Sequence, residues 1–87
     1  MIVLYSQKFR KNYRKLLPKI REKFKERRNI FLTNPLDPII DNHQLHGEYA
    51  GCRSINVTGD YRAIFYHENA DIVHFIAIGT HHELFAT

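Results

Sequence analysis

An α+β fold with the element order β-α-α-β-β-β is predicted for this chain of 87 residues. Apolar residues recur at helical spacing in the first third of the sequence, whereas β-branched and aromatic residues dominate the last third. Two Xaa-Pro steps within residues 34–46 interrupt regular structure between them. We therefore expect one domain over residues 1–87. Its N-terminal strand precedes a two-helix hairpin, which packs on a three-stranded antiparallel meander whose other face is open to a ligand.

The first elements are a short strand and a helix. Residues 2–5 are apolar and predict the strand, and Ser6 is a suitable N-cap for the helix that follows. Phe9, Tyr13 and Leu16 then recur at helical intervals and form a narrow apolar stripe among Lys and Arg. This first helix is expected to pack along that stripe.

A second helix is predicted to begin at Pro18. Proline disfavours helix at the preceding residue but suits the first position of a new helix, so a tight break is expected there. Ile20, Phe24 and Phe31 share one face of this second helix, which is predicted to extend to about Thr33. The two helices therefore form a hairpin.

Three strands are predicted in the C-terminal half. Residues 54–58, 61–67 and 72–78 are rich in Ile, Val, Phe and Tyr, and turn-forming residues at 58–60 and 68–71 connect them. The third strand is almost entirely apolar, which predicts a central place in the sheet. These strands form the antiparallel meander.

The segments that flank the strands are expected to be less regular. Residues 34–46 are predicted to form an irregular connection. Gly79 is expected to end the third strand, and residues 83–86 are expected to form at most one helical turn.

Charge is distributed unevenly along the chain. Residues 1–34 hold eleven Lys and Arg against two Glu, a net charge of +9, whereas residues 35–87 hold two Arg against seven carboxylates, a net charge of −5. A field of this kind attracts a polyanion, and nucleic acid is the commonest such partner. Two alternatives remain open, which are solvation of two exposed helices and binding of an acidic protein. The candidate RNA contacts on the first helix are Lys8, Lys11 and Lys15.

The C-terminal half holds all six histidines and the residue types that RNA cleavage requires. Metal-free cleavage needs a base, an acid and a cation for the phosphate, and His and Arg suit these tasks. Asp60 and Arg62 lie two residues apart on one strand and therefore point to the same face of the sheet. Arg53 lies on the preceding strand, and His81 follows the last strand. Simpler interpretations are a turn residue for Asp60 and a surface ion pair for Arg62.

Other chemistries are less well supported by the sequence. His43-x-x-His46 and His81-His82 contain zinc-ligating residue types, but a thiolate pair and an HExxH motif are both absent from the sequence. Cys52 has no activating partner near it in the sequence, and a single cysteine forms no internal disulfide. We therefore expect neither a metal nor another cofactor.

The histidines that remain have structural interpretations. His74 alternates with apolar neighbours and is interpreted as a core or sheet-face residue, and His67 adjoins a turn and is expected to face solvent.

Two segments of the sequence, taken together, resemble a known family. They are His43-Gln-Leu-His-Gly-Glu-Tyr-Ala-Gly-Cys-Arg-Ser-Ile-Asn-Val-Thr-Gly-Asp-Tyr-Arg62 and Ile78-Gly-Thr-His-His-Glu-Leu-Phe85. They are similar to the RelE/ParE toxin superfamily, most closely to its YafQ-like branch. The order of strand, two helices and three strands fits this RelE-like fold along the whole chain.

The resemblance implies a ribosome-dependent mRNA endonuclease that a cognate antitoxin silences. By position, His81 matches the principal proton-transfer residue, Asp60 an acid-base carboxylate and His43 a further active-site histidine. Phe85 matches the terminal aromatic residue that packs beside the target nucleotide. Arg53 matches an arginine that is either structural or phosphate-binding. Which of the carboxylate and the two histidines is the base stays open.

Two positions depart from the family pattern. Asn56 stands where close relatives have a histidine, and Ala77 stands where they have an arginine. Stabilisation of the transition state by such an arginine is often worth roughly 3–4 kcal/mol. We expect Arg62 to supply the missing cation.

Two other functions fit parts of the sequence. One is a ParE-like toxin that inhibits a protein such as gyrase, and the other is a basic RNA-binding module without turnover.

The hydrophobic stretch at residues 2–5 is too short for a signal peptide or a membrane span, so a cytoplasmic protein without a membrane partner is expected.

Overall fold

The computed structural model describes residues 1–85 and has an α+β architecture built on one mixed five-stranded sheet. The strand order is β1-β5-β4-β3-β2, with β1 parallel to β5 and all other neighbours antiparallel. The predicted α+β class and the meander of three consecutive strands are confirmed. The elements are β1 Ile2–Tyr5, α1 Gln7–Arg14, α2 Pro18–Thr33, β2 His43–Gln44, β3 Arg53–Asn56, β4 Tyr61–Asn69, β5 Ile72–Thr80 and α3 His81–Phe85.

Both N-terminal helices begin where the sequence predicts. The side-chain oxygen of Ser6 accepts a hydrogen bond of 3.0 Å from the backbone N–H of Phe9, which caps α1. Pro18 occupies the first turn of α2, where its missing N–H removes no helical hydrogen bond. The two helices therefore form the predicted hairpin.

The helices cover one face of the sheet, which we call the helix-side face. Its core is aromatic: Phe24 lies edge-on to Phe75 with ring centroids 5.3 Å apart, and Phe31 packs against Phe65 at 4.8 Å. All four rings are almost completely buried. Edge-to-face packing of this kind stabilises a core beyond the area that it buries, and it holds the sheet rigid behind its other face.

The opposite face, which we call the α3-side face, is less open than the sequence predicts. Leu84 of α3 and Leu45 of the loop before β3 pack over Ile64 and Ala77 in a second apolar cluster. The expectation of a fully open face is therefore wrong, because α3 folds back onto the end of the sheet from which it emerges.

Several predicted boundaries differ from the structure, and β4 extends to Asn69, beyond its predicted end at residue 67. Gly79 does not end β5 but pairs with Arg62 in the ladder, and α3 begins directly at His81. β3 begins at Arg53 and ends earlier than predicted. The connection before it contains β2, whose two polar residues carry no alternating apolar pattern and are ordered through pairing with β3.

None of the helices within residues 1–85 combines the length and the apolar character needed to span a membrane.

Candidate active site

Arg62 lies near the start of β4 with its side chain on the α3-side face. Its Nε donates to the hydroxyl of Ser54 at 2.9 Å, and its Nη2 donates to the carbonyl of Ser54 at 3.2 Å. Ser54 is completely buried, and the side chain of Arg62 is only 13% exposed. The guanidinium is therefore fixed against the sheet rather than free in solvent.

The other side of the same guanidinium contacts the loop before β2. Nη2 of Arg62 donates to the carbonyl oxygen of Asp41 at 2.8 Å, and Nη1 lies 3.3 Å from its carboxylate. Asp41 has φ +44°, in the left-handed region that aspartate tolerates better than most residues. In this conformation one residue offers both its carbonyl and its carboxylate to Arg62.

Two features of the core hold this loop in place. Arg27 of α2 is buried and donates from Nη1 to the carbonyl of Ile39 at 3.0 Å, and Ile40 is completely buried. On the other side of the loop, Nε of Arg53 donates to the side chain of Asn42 at 2.8 Å. Asp41 is thus positioned by its neighbours on both sides.

His43 completes a three-residue cluster with Arg62 and Asp41. Its Nδ1 lies 3.1 Å from Nη2 of Arg62 and 3.1 Å from the carbonyl oxygen of Asp41. A guanidinium can only donate, so Nδ1 accepts from Arg62 in the tautomer in which Nδ1 carries no hydrogen, and it donates to the Asp41 carbonyl in the tautomer in which it does. Nδ1 of His43 therefore has a partner in either tautomer.

The charge of Arg62 is maintained in this setting. Burial lowers the pKa of Arg62, and the adjacent Asp41 carboxylate raises it. An arginine stays protonated at neutral pH even when its pKa is perturbed. The α3-side face therefore carries a fixed positive charge beside His43.

His81 is placed by the junction of β5 and α3. Its backbone N–H donates to the carbonyl oxygen of Asp60 at 3.0 Å, which joins the start of α3 to the turn before β4. Thr80 and Glu83 cap the helix reciprocally, with the Thr80 N–H bonded to the Glu83 carboxylate at 2.8 Å and the Glu83 N–H bonded to the Thr80 hydroxyl at 3.1 Å. His81 itself is exposed.

Gly79 permits this arrangement. A Cβ atom at residue 79 would lie 3.1 Å from Oε1 of Glu83 and 3.4 Å from its Cβ. A side chain there would push on the capping carboxylate, so the glycine lets α3 turn back closely over the strand.

An aromatic wall extends from His81 across the second apolar cluster. The rings of His81 and Phe85 lie 4.9 Å apart, and Phe85 is edge-on to Tyr49 at 5.8 Å. Phe85 is half-buried, so part of its surface stays available beside the imidazole.

The two positions that depart from the family pattern lie on the same sheet face as Arg62. Asn56 is paired with Arg62 across β3 and β4. Ala77 is 1% exposed and is packed among apolar residues, beside its ladder partner Ile64. Arg62 is the next residue of β4 on this face after Ile64, so its cation lies diagonally across the ladder from Ala77.

The structure brings together His43 and Arg62, and it joins Asp60 to His81 through the backbone. Arg53 does not join them, because it is paired with Phe65 and its side chain lies on the helix-side face. The candidate RNA contacts Lys8 and Lys11 on α1 and Lys15 at its C-cap are exposed, and α1 packs on the face of the sheet opposite to Arg62.

Other candidates have structural roles or lie apart. His74 is a sheet-face residue, as predicted, since its Nε2 lies 2.8 Å from the Glu68 carboxylate and its ring stacks on Tyr66 at 4.8 Å. Burial raises the pKa of the Cys52 thiol, which makes its nucleophilic thiolate scarcer. Within residues 1–85, no three His, Cys, Asp or Glu side chains converge as a metal site.

Two residues that contact Arg62 were not identified from the sequence. Asp41 lies in a segment predicted to be irregular, and Ser54 is one polar residue in a predicted strand. An Asp-Asn pair after a short apolar run is the signal for a left-handed turn at Asp41, but it does not show which side chain that turn faces. For Ser54, the sequence contains no such signal.

Comparison with known proteins gives a consistent result. The model of the YafQ family, described as the bacterial toxin of a type II toxin-antitoxin system, matches residues 1–86. The chain is 26% identical to YafQ from E. coli strain BL21(DE3), with a TM-score of 0.77 over 95% of this chain and 96% of that chain.

Two further solved structures are similar over nearly their whole length. The E. coli DinJ-YafQ toxin-antitoxin complex contains a chain with 26% identity and a TM-score of 0.74, covering 95% of this chain and 94% of that chain. A YoeB/ParE toxin from Agrobacterium tumefaciens shares the fold at 16% identity and a TM-score of 0.78, covering 93% and 99% of the two chains. No curated protein matches significantly.

Proposed function

The chain belongs to the YafQ family of type II toxin-antitoxin toxins, and from that premise we propose that it is a ribosome-dependent mRNA endonuclease. A cognate antitoxin silences it, and both act in the cytoplasm. The observation that carries this proposal is the contact between Arg62 and His43 on the α3-side face of the sheet. His81, the first residue of α3, lies at the same face. A histidine beside a fixed cation, with a second histidine at the same end of the sheet, suits phosphodiester cleavage.

The chemistry requires two proton transfers and no metal. The ribose 2′-oxygen loses its proton to a base and attacks the adjacent phosphorus, while an acid protonates the departing 5′-oxygen. The products are a 2′,3′-cyclic phosphate and a 5′-hydroxyl. His81 is the principal proton-transfer residue, and His43 or Asp60 performs the transfer in the opposite direction.

Arg62 stabilises the charge that builds on the phosphate, in place of the arginine that relatives carry at the position of Ala77. Support comes from its fixed orientation, because a cation held before the reaction needs no reorganisation during it. A phosphate oxygen reaches the guanidinium from the exposed side, where it competes with the Asp41 carboxylate, which is itself 65% exposed.

The remaining residues bind RNA or support the loop that carries Asp41, and they take no part in the proton transfers. Phe85 packs beside the target nucleotide, next to the His81 ring. Lys8, Lys11 and Lys15 attract ribosomal RNA through their charge. Arg53 braces the loop that carries Asp41, so its contribution to RNA binding is indirect.

The experiment is expression of the chain, with and without its antitoxin, followed by mapping of mRNA ends by primer extension. His81→Ala and His82→Ala are a matched pair, since both side chains are exposed on the first turn of α3. Cleavage is expected to be lost in His81→Ala and retained in His82→Ala, with both variants folded by circular dichroism.

Three results would contradict the proposal. Full cleavage by His81→Ala would remove that residue from the reaction. Intact message together with DNA damage would instead indicate a toxin that inhibits a protein such as gyrase. RNA binding with a steep dependence on salt, but without any cut, would indicate a binding module.

A further inference from the structure

A cavity of about 310 Å³ opens on the helix-side face, between β1, α1 and α2. A volume of this size is typical of sites that hold a small organic group. Arg62 and His43 lie on the other face, so the sheet separates this cavity from the candidate active site. The lining of the cavity consists of aromatic rings and arginines, which are described in turn.

Four aromatic rings line the cavity. Phe9 and Phe24 are almost completely buried and form its floor, whereas Tyr5 and Tyr13 are half-buried and keep exposed ring surface. We call these two the cavity tyrosines. The ring of Phe9 lies 5.1 Å from Tyr5 at an interplanar angle of 31°, and 5.8 Å from Tyr13 at 21°. Because the three rings are nearly parallel, a flat group can stack beside them.

Three arginines, which we call the rim arginines, surround the opening. Arg10 and Arg14 are exposed and lie one helical turn apart on α1. Arg28 of α2 donates from Nη1 to the hydroxyl of Tyr5 at 3.0 Å, and its other nitrogens contact a neutral side-chain amide. Within residues 1–85, no carboxylate lines the cavity. Its positive charge is therefore uncompensated, and guanidinium forks of this kind suit a phosphate.

The positive charge continues from the cavity around α1. The helix and its C-cap carry five cations and no carboxylate, and the cations are Lys8, Arg10, Lys11, Arg14 and Lys15. Among the described residues none of them forms an ion pair, whereas Lys23 and Lys25 of α2 pair with glutamates. Unpaired cations that lead away from a cavity suit the successive phosphates of a nucleic acid strand. The arrangement therefore favours a polymer over a free nucleotide.

We propose that this cavity is a second RNA-binding site, which holds the base of an unpaired nucleotide against the cavity tyrosines and its neighbouring phosphates on the rim arginines. Every base has a face that can stack, so binding there is expected to show little sequence preference. The proposal rests on the proposed function only in that RNA is the partner. It requires no cleavage, because the cleavage site lies on the opposite face.

An acidic segment of a protein fits this cavity less well. A carboxylate side chain matches the charge of the rim arginines, but it has no ring to stack on the cavity tyrosines. A nucleotide carries both groups in one unit, which matches the combination of rings and arginines. A protein partner is therefore one outcome that the tests below distinguish.

The first test measures binding of a labelled 2′-O-methyl oligoadenylate of about eight nucleotides by fluorescence anisotropy. This probe has no free 2′-hydroxyl and is not cut. Tyr13→Leu is expected to raise its Kd about tenfold, because an aliphatic side chain does not stack on a base. Tyr13→Phe keeps the ring and is expected to stay within about twofold of wild type. Tyr66→Leu makes the same change on the α3-side face and should also stay within about twofold.

The second test measures the salt dependence of the same binding. Arg10→Gln/Arg14→Gln is expected to lower the slope of log Kd against log salt by about 1.4, because each lost phosphate contact removes about 0.7 for a single strand. Lys19→Gln/Lys23→Gln removes two charges from α2 outside the cavity lining. This control is expected to change the slope by less than about 0.3.

A third test needs no variant to fold. An oligonucleotide that carries 4-thiouridine is photocrosslinked to the wild-type chain, and the linked residues are identified by mass spectrometry. Crosslinks are expected within residues 5–14 and 24–28, which contain the lining of the cavity. Adenosine monophosphate is expected to compete with the oligonucleotide only at much higher concentration, because it brings a single phosphate.

Each contrary outcome overturns the proposal. Crosslinks confined to the α3-side face would show that RNA does not enter the cavity, and an unchanged Kd in Tyr13→Leu would exclude stacking. Adenosine monophosphate that competes at equal concentration would assign the cavity to a free nucleotide. An unchanged oligonucleotide Kd in Arg10→Gln/Arg14→Gln, together with weaker antitoxin binding, would assign it to a protein partner. Absence of mRNA cleavage by the wild-type chain would contradict only the proposed function, because the probe is not cut.

Discussion

Arg62 and Asp41 contact each other twice, through a hydrogen bond of 2.8 Å to the Asp41 carbonyl and an ion pair of 3.3 Å to its carboxylate. They lie 21 residues apart in sequence, and Asp41 reaches this position in a left-handed conformation. Arg62 is therefore both the cation beside His43 and the anchor of the loop that carries this histidine. Substitutions can separate its effect on the phosphate charge from its effect on the loop.

Arg62→Lys is expected to lower the mRNA cleavage rate by about 10²- to 10³-fold, because a single ammonium cannot keep the fixed fork of donors toward the phosphate. The free energy of unfolding should fall by about 1–3 kcal/mol, since buried Ser54 loses its donors. Rates are measured by single-turnover cleavage on programmed ribosomes, and stability by urea unfolding.

Arg53→Lys is the control for this change, because Arg53 braces the same loop from the helix-side face. It should destabilise the loop with a much smaller effect on cleavage. An equal loss of cleavage in both variants would mean that Arg62 acts through loop stability alone.

Asp41→Asn is expected to increase affinity for a short single-stranded RNA by about two- to fivefold, because one carboxylate no longer competes for Arg62. Asparagine also tolerates the left-handed conformation, so the loop keeps its shape. Filter binding at two salt concentrations measures the change. Asp71→Asn, in the turn between β4 and β5, removes the same charge away from Arg62 and should have no comparable effect. Weaker binding by Asp41→Asn would contradict competition at Arg62.

Gly79→Ala is expected to lower the free energy of unfolding by about 1–3 kcal/mol, because its Cβ would crowd the Glu83 side chain. The displaced start of α3 should also slow cleavage at least about tenfold through misplacement of His81. Thermal unfolding and cleavage assays measure the two effects. Gly59→Ala has no atom within 4 Å of the added Cβ and should behave as wild type. Normal activity in Gly79→Ala would show that the Glu83 cap is not needed to place His81.

Cys52 provides a test of burial through pH. Burial raises the pKa of the Cys52 thiol in the folded chain. When the pH exceeds the ordinary thiol pKa of about 8.5, the unfolded chain therefore loses this proton before the folded chain does. Stability should therefore fall as pH rises from there toward the folded pKa. Urea unfolding of the wild-type chain and Cys52→Ala across this range isolates the contribution by difference. Identical pH slopes would show that the thiol is not perturbed.

Local chemistry made much of the fold predictable. The Ser6 cap, the break at Pro18 and the three strands of the meander follow from hydrogen bonding, a missing N–H and side-chain shape within a few neighbouring residues. The helix over His81–Phe85, by contrast, begins two residues before the helical turn expected from the sequence, and it places the rings of His81 and Phe85 4.9 Å apart.

Long-range pairing was not predictable in this way. The contact between Arg62 and His43 joins residues 19 apart, and it exists because β2 pairs with β3 in a register that brings His43 opposite Ser54. No periodic pattern marks a two-residue strand. The left-handed turn at Asp41 depends equally on the core contacts that hold its loop.

The sequence by itself determined the element order, the helix starts, the unequal charge of the two halves and the residue types available for RNA chemistry. Only the tertiary structure decided that Arg62 faces His43 while Arg53 faces away, that α3 covers part of the sheet, and that β1 lies at the edge of the sheet. The physical reason is that caps, turns and periodicity act between near neighbours. The register of strands and the packing of α3 depend instead on burial summed over the whole core.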